Sequence, residues 1–183
     1  MCIIFVAFRS HPDYRLIVAA NRDEFRERPT EAVHWWKDGS GILAGRDLRG
    51  GGTWMGIQAD GRFAALTNFR EPSSAAPHAP SRGRLVASYL QTGGRPMTWL
   101  EDLATRADEW GGFSLFVSDL RELAHLSNRR NVPDPLGAGI WAVSNGLLGD
   151  PWPKVDRGKA EFRRIVGERD AEVERLMALL RDD

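Results

Sequence analysis

Short apolar runs cut by turn residues dominate the first part of the chain. Cys2–Phe8 is apolar at every position, which predicts a strand buried on both faces. Arg15–Ala20 is a second run rich in Ile and Val, and Ser10-His11-Pro12-Asp13 between them has turn composition. Together they predict a hairpin. Gly41–Gly45 and Thr53–Ile57 read as further short strands, and Asp60-Gly61 marks a tight hairpin into Phe63–Phe69. Glu71 to Pro80, with three prolines, reads as a loop.

The period then changes. Ser81 is placed to cap a helix whose apolar positions Leu85, Val86, Tyr89 and Leu90 recur at helical spacing. Pro96 opens a second helix with Trp99, Leu100, Leu103, Ala107 and Trp110 on one face. Strand pattern returns at Phe113–Ser118, Leu123–Ser127 and Ile140–Ser144. Lys154 to Leu180 is helical, broken near Gly167 and Arg169-Asp170, and Val173, Leu176, Met177 and Leu180 form a stripe that reads as a packing face. Roughly seven strands grouped apart from two helical blocks predict an α+β domain with largely antiparallel pairing. A single domain over 1–183 is expected.

Composition narrows the functions. Twenty-five basic and 25 acidic residues cancel, so nothing favours a nucleic-acid partner. The apolar start has no basic region before it and is too short for a secretory signal, and no stretch has the length of a membrane span. One cysteine excludes an intramolecular disulfide or a cysteine-built zinc site and fits a reducing, cytoplasmic setting. His11, His34, His78 and His125 lack metal-ligand spacing, so no metal or other cofactor is expected. Gly50-Gly51-Gly52-Thr53 lacks the Lys of a phosphate loop and reads as a tight turn. Asp102, Asp108 and Glu109 read as a solvated helix face. Trp35-Trp36, Trp54, Trp141 and Trp152 suit either core packing or an apolar cleft. Arg82 and Arg84 either gather anions or serve solubility.

The cysteine itself, Cys2, follows the initiator methionine. With Met1 removed it is a nucleophile carrying its own base, the α-amine; with Met1 kept it is a small buried hydrophobe. Asn21-Arg22-Asp23-Glu24 sits where the second strand ends, beside the start of strand one in the expected hairpin. An arginine there favours a thiolate, and an aspartate can fix the arginine or hold an N-terminal ammonium. A solvated turn with ordinary ion pairs is the alternative.

Met-Cys-Ile-Ile-Phe, Ala19-Ala20-Asn21-Arg22-Asp23-Glu24-Phe25, Arg28-Pro29, Gly51-Gly52-Thr53-Trp54-Met55-Gly56-Ile57, Ala65-Leu66-Thr67-Asn68-Phe69-Arg70, Gly112-Phe113-Ser114-Leu115, Ser144-Asn145-Gly146-Leu147-Leu148 and Pro151-Trp152 occur in this order. This series resembles the NRDE family, also called the transport and Golgi organisation 2 family. The resemblance implies an N-terminal nucleophile hydrolase architecture, two packed antiparallel sheets between helical layers. It also implies kinship with cysteine acylases that cleave amides. Carried over, Cys2 is the nucleophile, Arg22 and Asp23 the pair following the second strand, and Asn145 the oxyanion or amine-positioning residue. Asn68 and Asn21 are expected to contact substrate.

Longer members of that family continue into further strands with a Gly-Thr-Arg-type segment that supplies a second arginine. The chain ends at Arg181-Asp182-Asp183 without one, so the domain is expected to be incomplete at the C-terminus. The resemblance implies an amidohydrolase acting on a linear C–N bond of a small-molecule substrate. Its alternatives are a non-enzymatic carrier or trafficking factor for an apolar ligand such as a lipid or haem, and a degenerate hydrolase fold used as an interaction module.

Overall fold

The structure, a computed structural model, describes residues 2–71, 79–168 and 172–181. Two sheets form, both antiparallel throughout. The smaller has β1 (Ile3–Phe8) between β2 (Leu16–Asn21) and β10 (Gly139–Val143). The larger runs β3 (Thr30–Trp35), β4 (Ile42–Asp47), β5 (Met55–Gln58), β6 (Phe63–Asn68), β7 (Phe113–Ser118), β8 (Leu123–Ser127), β9 (Asp134–Leu136) in chain order.

Alternation along the strands sorts side chains into three layers of core. Ile4, Val6 and Phe8 of β1 meet Phe63, Ala65, Phe116 and Leu123 of the large sheet, filling the space between sheets. Ile3, Phe5 and Ala7 face the other way, onto α3 (Pro153–Val166) and α4 (Val173–Leu179). Phe5 stacks on Phe162 with centroids 5.6 Å apart. That packing needs Gly158, where a Cβ would meet the Phe5 ring at 2.4 Å. The outer face of the large sheet packs under α1 (Gly83–Thr92) and α2 (Pro96–Ala104) through Leu85, Val86, Leu90, Leu100 and Leu103. The result is helix, sheet, sheet, helix, the α+β arrangement expected. Every residue of β1 is buried because both its faces are covered.

Several expectations are corrected. Ten strands form among the described residues, because β3 and β9 carry no sequence signal. β3 is an exposed edge strand, and β9 is three residues long with Pro135 inside it. Arg82, not Ser81, stands at the N-cap of α1, with no side-chain cap; the Ser81 carbonyl instead accepts the Arg84 N–H at 3.0 Å. The C-terminal stripe packs only in part: Leu176 and Leu180 join Leu179 against the small-sheet core, whereas Val173 and Met177 are exposed. Trp36 is core and Trp35 is exposed. Positions 72–78 of the loop and the Arg169-Asp170 break lie outside the described residues.

Candidate functional site

The β1–β2 register pairs Ile3 with Asn21, and the β1–β10 register pairs Ile4 with Val143. Continued to the strand ends, these ladders set Cys2 opposite Arg22 on one side and Asn145 on the other. All three lie just past the paired residues at one end of the small sheet. Cys2 is 8% exposed. Its Sγ accepts the Asp23 backbone N–H at 3.4 Å and lies 3.7 Å from the Asp23 carbonyl oxygen. The Asp23 carboxyl is held below the usual carboxylate range by a hydrogen bond from the N-terminal ammonium, which in this chain belongs to Met1 and not to Cys2, and by the charge of that ammonium.

On the other side, Ser144 donates its hydroxyl to the Cys2 carbonyl oxygen at 2.7 Å, and Thr67 of β6 donates to the Ser144 carbonyl at 2.5 Å. The Asn145 side-chain amide donates to the Asn68 carbonyl at 2.8 Å, and the Arg70 N–H donates to the Asn145 carbonyl at 2.8 Å. One of the two amide N–H groups of Asn145 is therefore committed. Ser144 and Thr67, both buried, tie the small sheet to the large one at the Cys2 end. Neither was singled out from sequence. Their signal was local: each hydroxyl residue directly precedes an asparagine that was.

The structure separates the remaining candidates. Asn21 alternates onto the opposite face from Cys2 and donates to the Leu180 carbonyl just beyond α4. The Arg22 guanidinium turns to the Glu24 carboxylate at 2.8 Å. With Glu24 and Asn68, Arg22 lines a cavity of about 550 Å³ that also includes Arg28, Asp47, Trp54, Leu66 and Arg82. Arg28 binds Asp47 through two nitrogens at 2.6 and 2.9 Å, which raises the guanidinium further. Burial pushes Asp47 up, but Arg28 and the backbone N–H groups of Gly50 and Arg49 outweigh it and hold the carboxyl low. Those N–H bonds close the glycine turn; Gly52 there lies so near Gly83 that a Cβ would meet its carbonyl at 2.4 Å.

No group of three or more His, Cys, Asp or Glu able to hold a metal occurs among the described residues. Among them, too, no helix is long and apolar enough to cross a membrane.

A solved amidase has the same architecture. The Caenorhabditis elegans N-acylethanolamine-hydrolyzing acid amidase ortholog superposes with a TM-score of 0.64, covering 99% of this chain and 86% of its own, at 12% sequence identity. The fold is thus that of the N-terminal nucleophile hydrolases, as the resemblance implied. In sequence, the mouse Transport and Golgi organization 2 homolog is 37% identical over 93% of this chain, and the human homolog is 38% identical over 91%. The Drosophila melanogaster protein is 32% identical over 98%. This chain spans 66% of the length of the mouse relative and 64% of the human one. The family model described as Transport and Golgi organisation 2 matches residues 1–183, and the chain belongs to that family.

Proposed function

We propose that this chain is a cysteine-type N-terminal nucleophile amidohydrolase acting on a linear C–N bond, with Cys2 as nucleophile. The observation that supports this most is the placement of Cys2 between Asp23, whose N–H meets its sulfur, and Ser144, the neighbour of Asn145, whose hydroxyl meets its carbonyl. The reading requires a chain that begins at Cys2. Its free α-amine accepts the thiol proton as Sγ attacks the amide carbonyl, forming a C–S bond and an oxyanion. The second N–H of Asn145 faces that oxyanion; a well-placed donor of this kind contributes about 3 kcal/mol. The C–N bond breaks as the α-ammonium returns the proton to the leaving amine, leaving a thioester. Water, deprotonated by the same amine, then releases the carboxylic acid and restores the thiol. In a chain that begins at Cys2, Asp23, whose backbone N–H already meets the Cys2 sulfur, is the residue that orients that amine.

The test is hydrolysis of N-decanoyl amides by protein whose N-terminal peptide begins at Cys2. Activity lost in Cys2→Ala supports the reading; equal turnover by Cys2→Ala sinks it.

A second reading, a non-enzymatic carrier for an apolar ligand, is favoured by one observation: the large cavity is lined by Trp54, Met55 and Leu66, and Cys2 is not among its lining residues. A carrier binds its ligand equally well after Cys2→Ala and releases it unchanged.

A further inference from the structure

The cavity lining holds five arginines against three carboxylates. Most of that charge is matched internally. Glu24 engages Arg22 at 2.8 Å and Asp47 engages Arg28 at 2.6 Å, while Glu31 faces His34 at 3.5 Å. Arg46 is drawn off to Asp38 at 3.6 Å, with its guanidinium 4.3 Å over the Trp36 ring, and Arg49 is exposed.

Arg82 differs. It is half-buried, and among the described residues its hydrogen bond goes to a neutral acceptor, the Gly112 carbonyl, at 2.9 Å. The carboxylates whose charge reaches it, Glu71 and Glu24, are each taken by another arginine: Glu71 accepts from Arg129 at 2.7 Å through both oxygens. Burial lowers the Arg82 guanidinium despite those two charges. A guanidinium has five N–H donors in a fork that matches a carboxylate or phosphate, and Arg82 spends one on a carbonyl. The same cavity has apolar wall from Trp54, Met55 and Leu66. The volume, about 550 Å³, lies within the range of small-molecule sites.

We infer that this cavity binds an amphiphilic small molecule whose oxyanion is held by Arg82 and whose apolar part lies against Trp54, Met55 and Leu66. The binding does not depend on catalysis. Its extension, that the hydrolysed amide carries an acidic group, rests on the hydrolase reading above.

Binding is measured by isothermal titration of full-length Cys2→Ala protein with N-decanoylglycine, neutral N-decanoylethanolamine and decyl phosphate. The acidic probes are expected to bind roughly tenfold tighter, or more, than the neutral one, as for hydrogen bonds to charged groups. Arg82→Gln is expected to abolish that preference, and Arg82→Lys to keep part of it, since lysine retains charge without the fork. A tighter carboxylate points to an acyl amino acid and a tighter phosphate to a phosphate ester; both support the site. Equal affinity for acidic and neutral probes overturns it, as does a preference that survives Arg82→Gln. So does failure of all three probes to bind folded protein. Wild-type protein that binds N-decanoylglycine without ever cleaving it removes the hydrolase reading and leaves the anion site standing.

Discussion

The Cys2 end of the small sheet and the arginine-lined cavity both contain Arg22 or its immediate neighbours, yet they are held by different means. Around Cys2 nearly every partner is backbone or an anchored hydroxyl: the Asp23 N–H, the Ser144 hydroxyl on the Cys2 carbonyl, the Arg70 N–H on Asn145. Sheet register and the packing beneath it set those positions. Across the cavity the ties are ion pairs between long side chains, Arg22 with Glu24 and Arg28 with Asp47. Such pairs are screened by salt and rearrange at small cost. A reacting atom needs the first kind of support; recognition of a variable ligand tolerates the second.

The largest expected effect lies under the thiol end. Phe162 is fully buried and stacks on Phe5, so Phe162→Ala should cost about 3–5 kcal/mol in denaturant unfolding and speed labelling of the Cys2 thiol. A cost below about 1 kcal/mol would mean the small sheet does not rely on α3, and the contrast collapses.

Next is the interior between the sheets. His125 is buried against Phe116, neither ring nitrogen has a partner among the described residues, and burial lowers its pKa to about 4. The folded state thus binds the proton less well than the unfolded chain, whose histidine titrates near 6.5. Stability from this group is complete above that value and falls as pH drops towards 4, by about 3 kcal/mol in all. His125→Leu should flatten that part of a stability–pH curve; an unchanged curve assigns the acid sensitivity elsewhere.

Ser144→Ala leaves the buried Cys2 carbonyl without its donor and should cost about 2 kcal/mol. Ser144→Thr, which keeps the hydroxyl, should recover much of it if the hydrogen bond rather than shape is what matters. The smallest effect belongs to the cavity. Arg28→Gln breaks a partly exposed pair and should cost about 1 kcal/mol, less in high salt. A cost equal to that of Ser144→Ala would erase the distinction between the two regions.

The thiol end was legible in sequence because it depends on neighbours in a hairpin. An all-apolar β1, a turn at Ser10–Asp13 and a polar β2 terminus suffice to put Asn21–Asp23 beside Cys2. β7 and β8 were legible for a similar reason, being apolar runs bounded by glycine and by Asp119. The cavity was not, since its walls come from residues 22 to 111, joined only by the fold. β3 escaped because an exposed edge strand has no buried face to impose alternation. The contact of Asn21 with Leu180 was not legible either, because reading a motif as one unit ignores that successive strand residues point to opposite faces.

Cys2 as an N-terminal nucleophile is tested most directly by mass spectrometry of the N-terminal peptide after brief exposure to p-nitrophenyl decanoate. The expected result is a peptide that begins at Cys2 and carries one decanoyl group, absent from Cys2→Ala protein. A peptide that still begins with methionine, or a decanoyl group placed on any other residue, contradicts it.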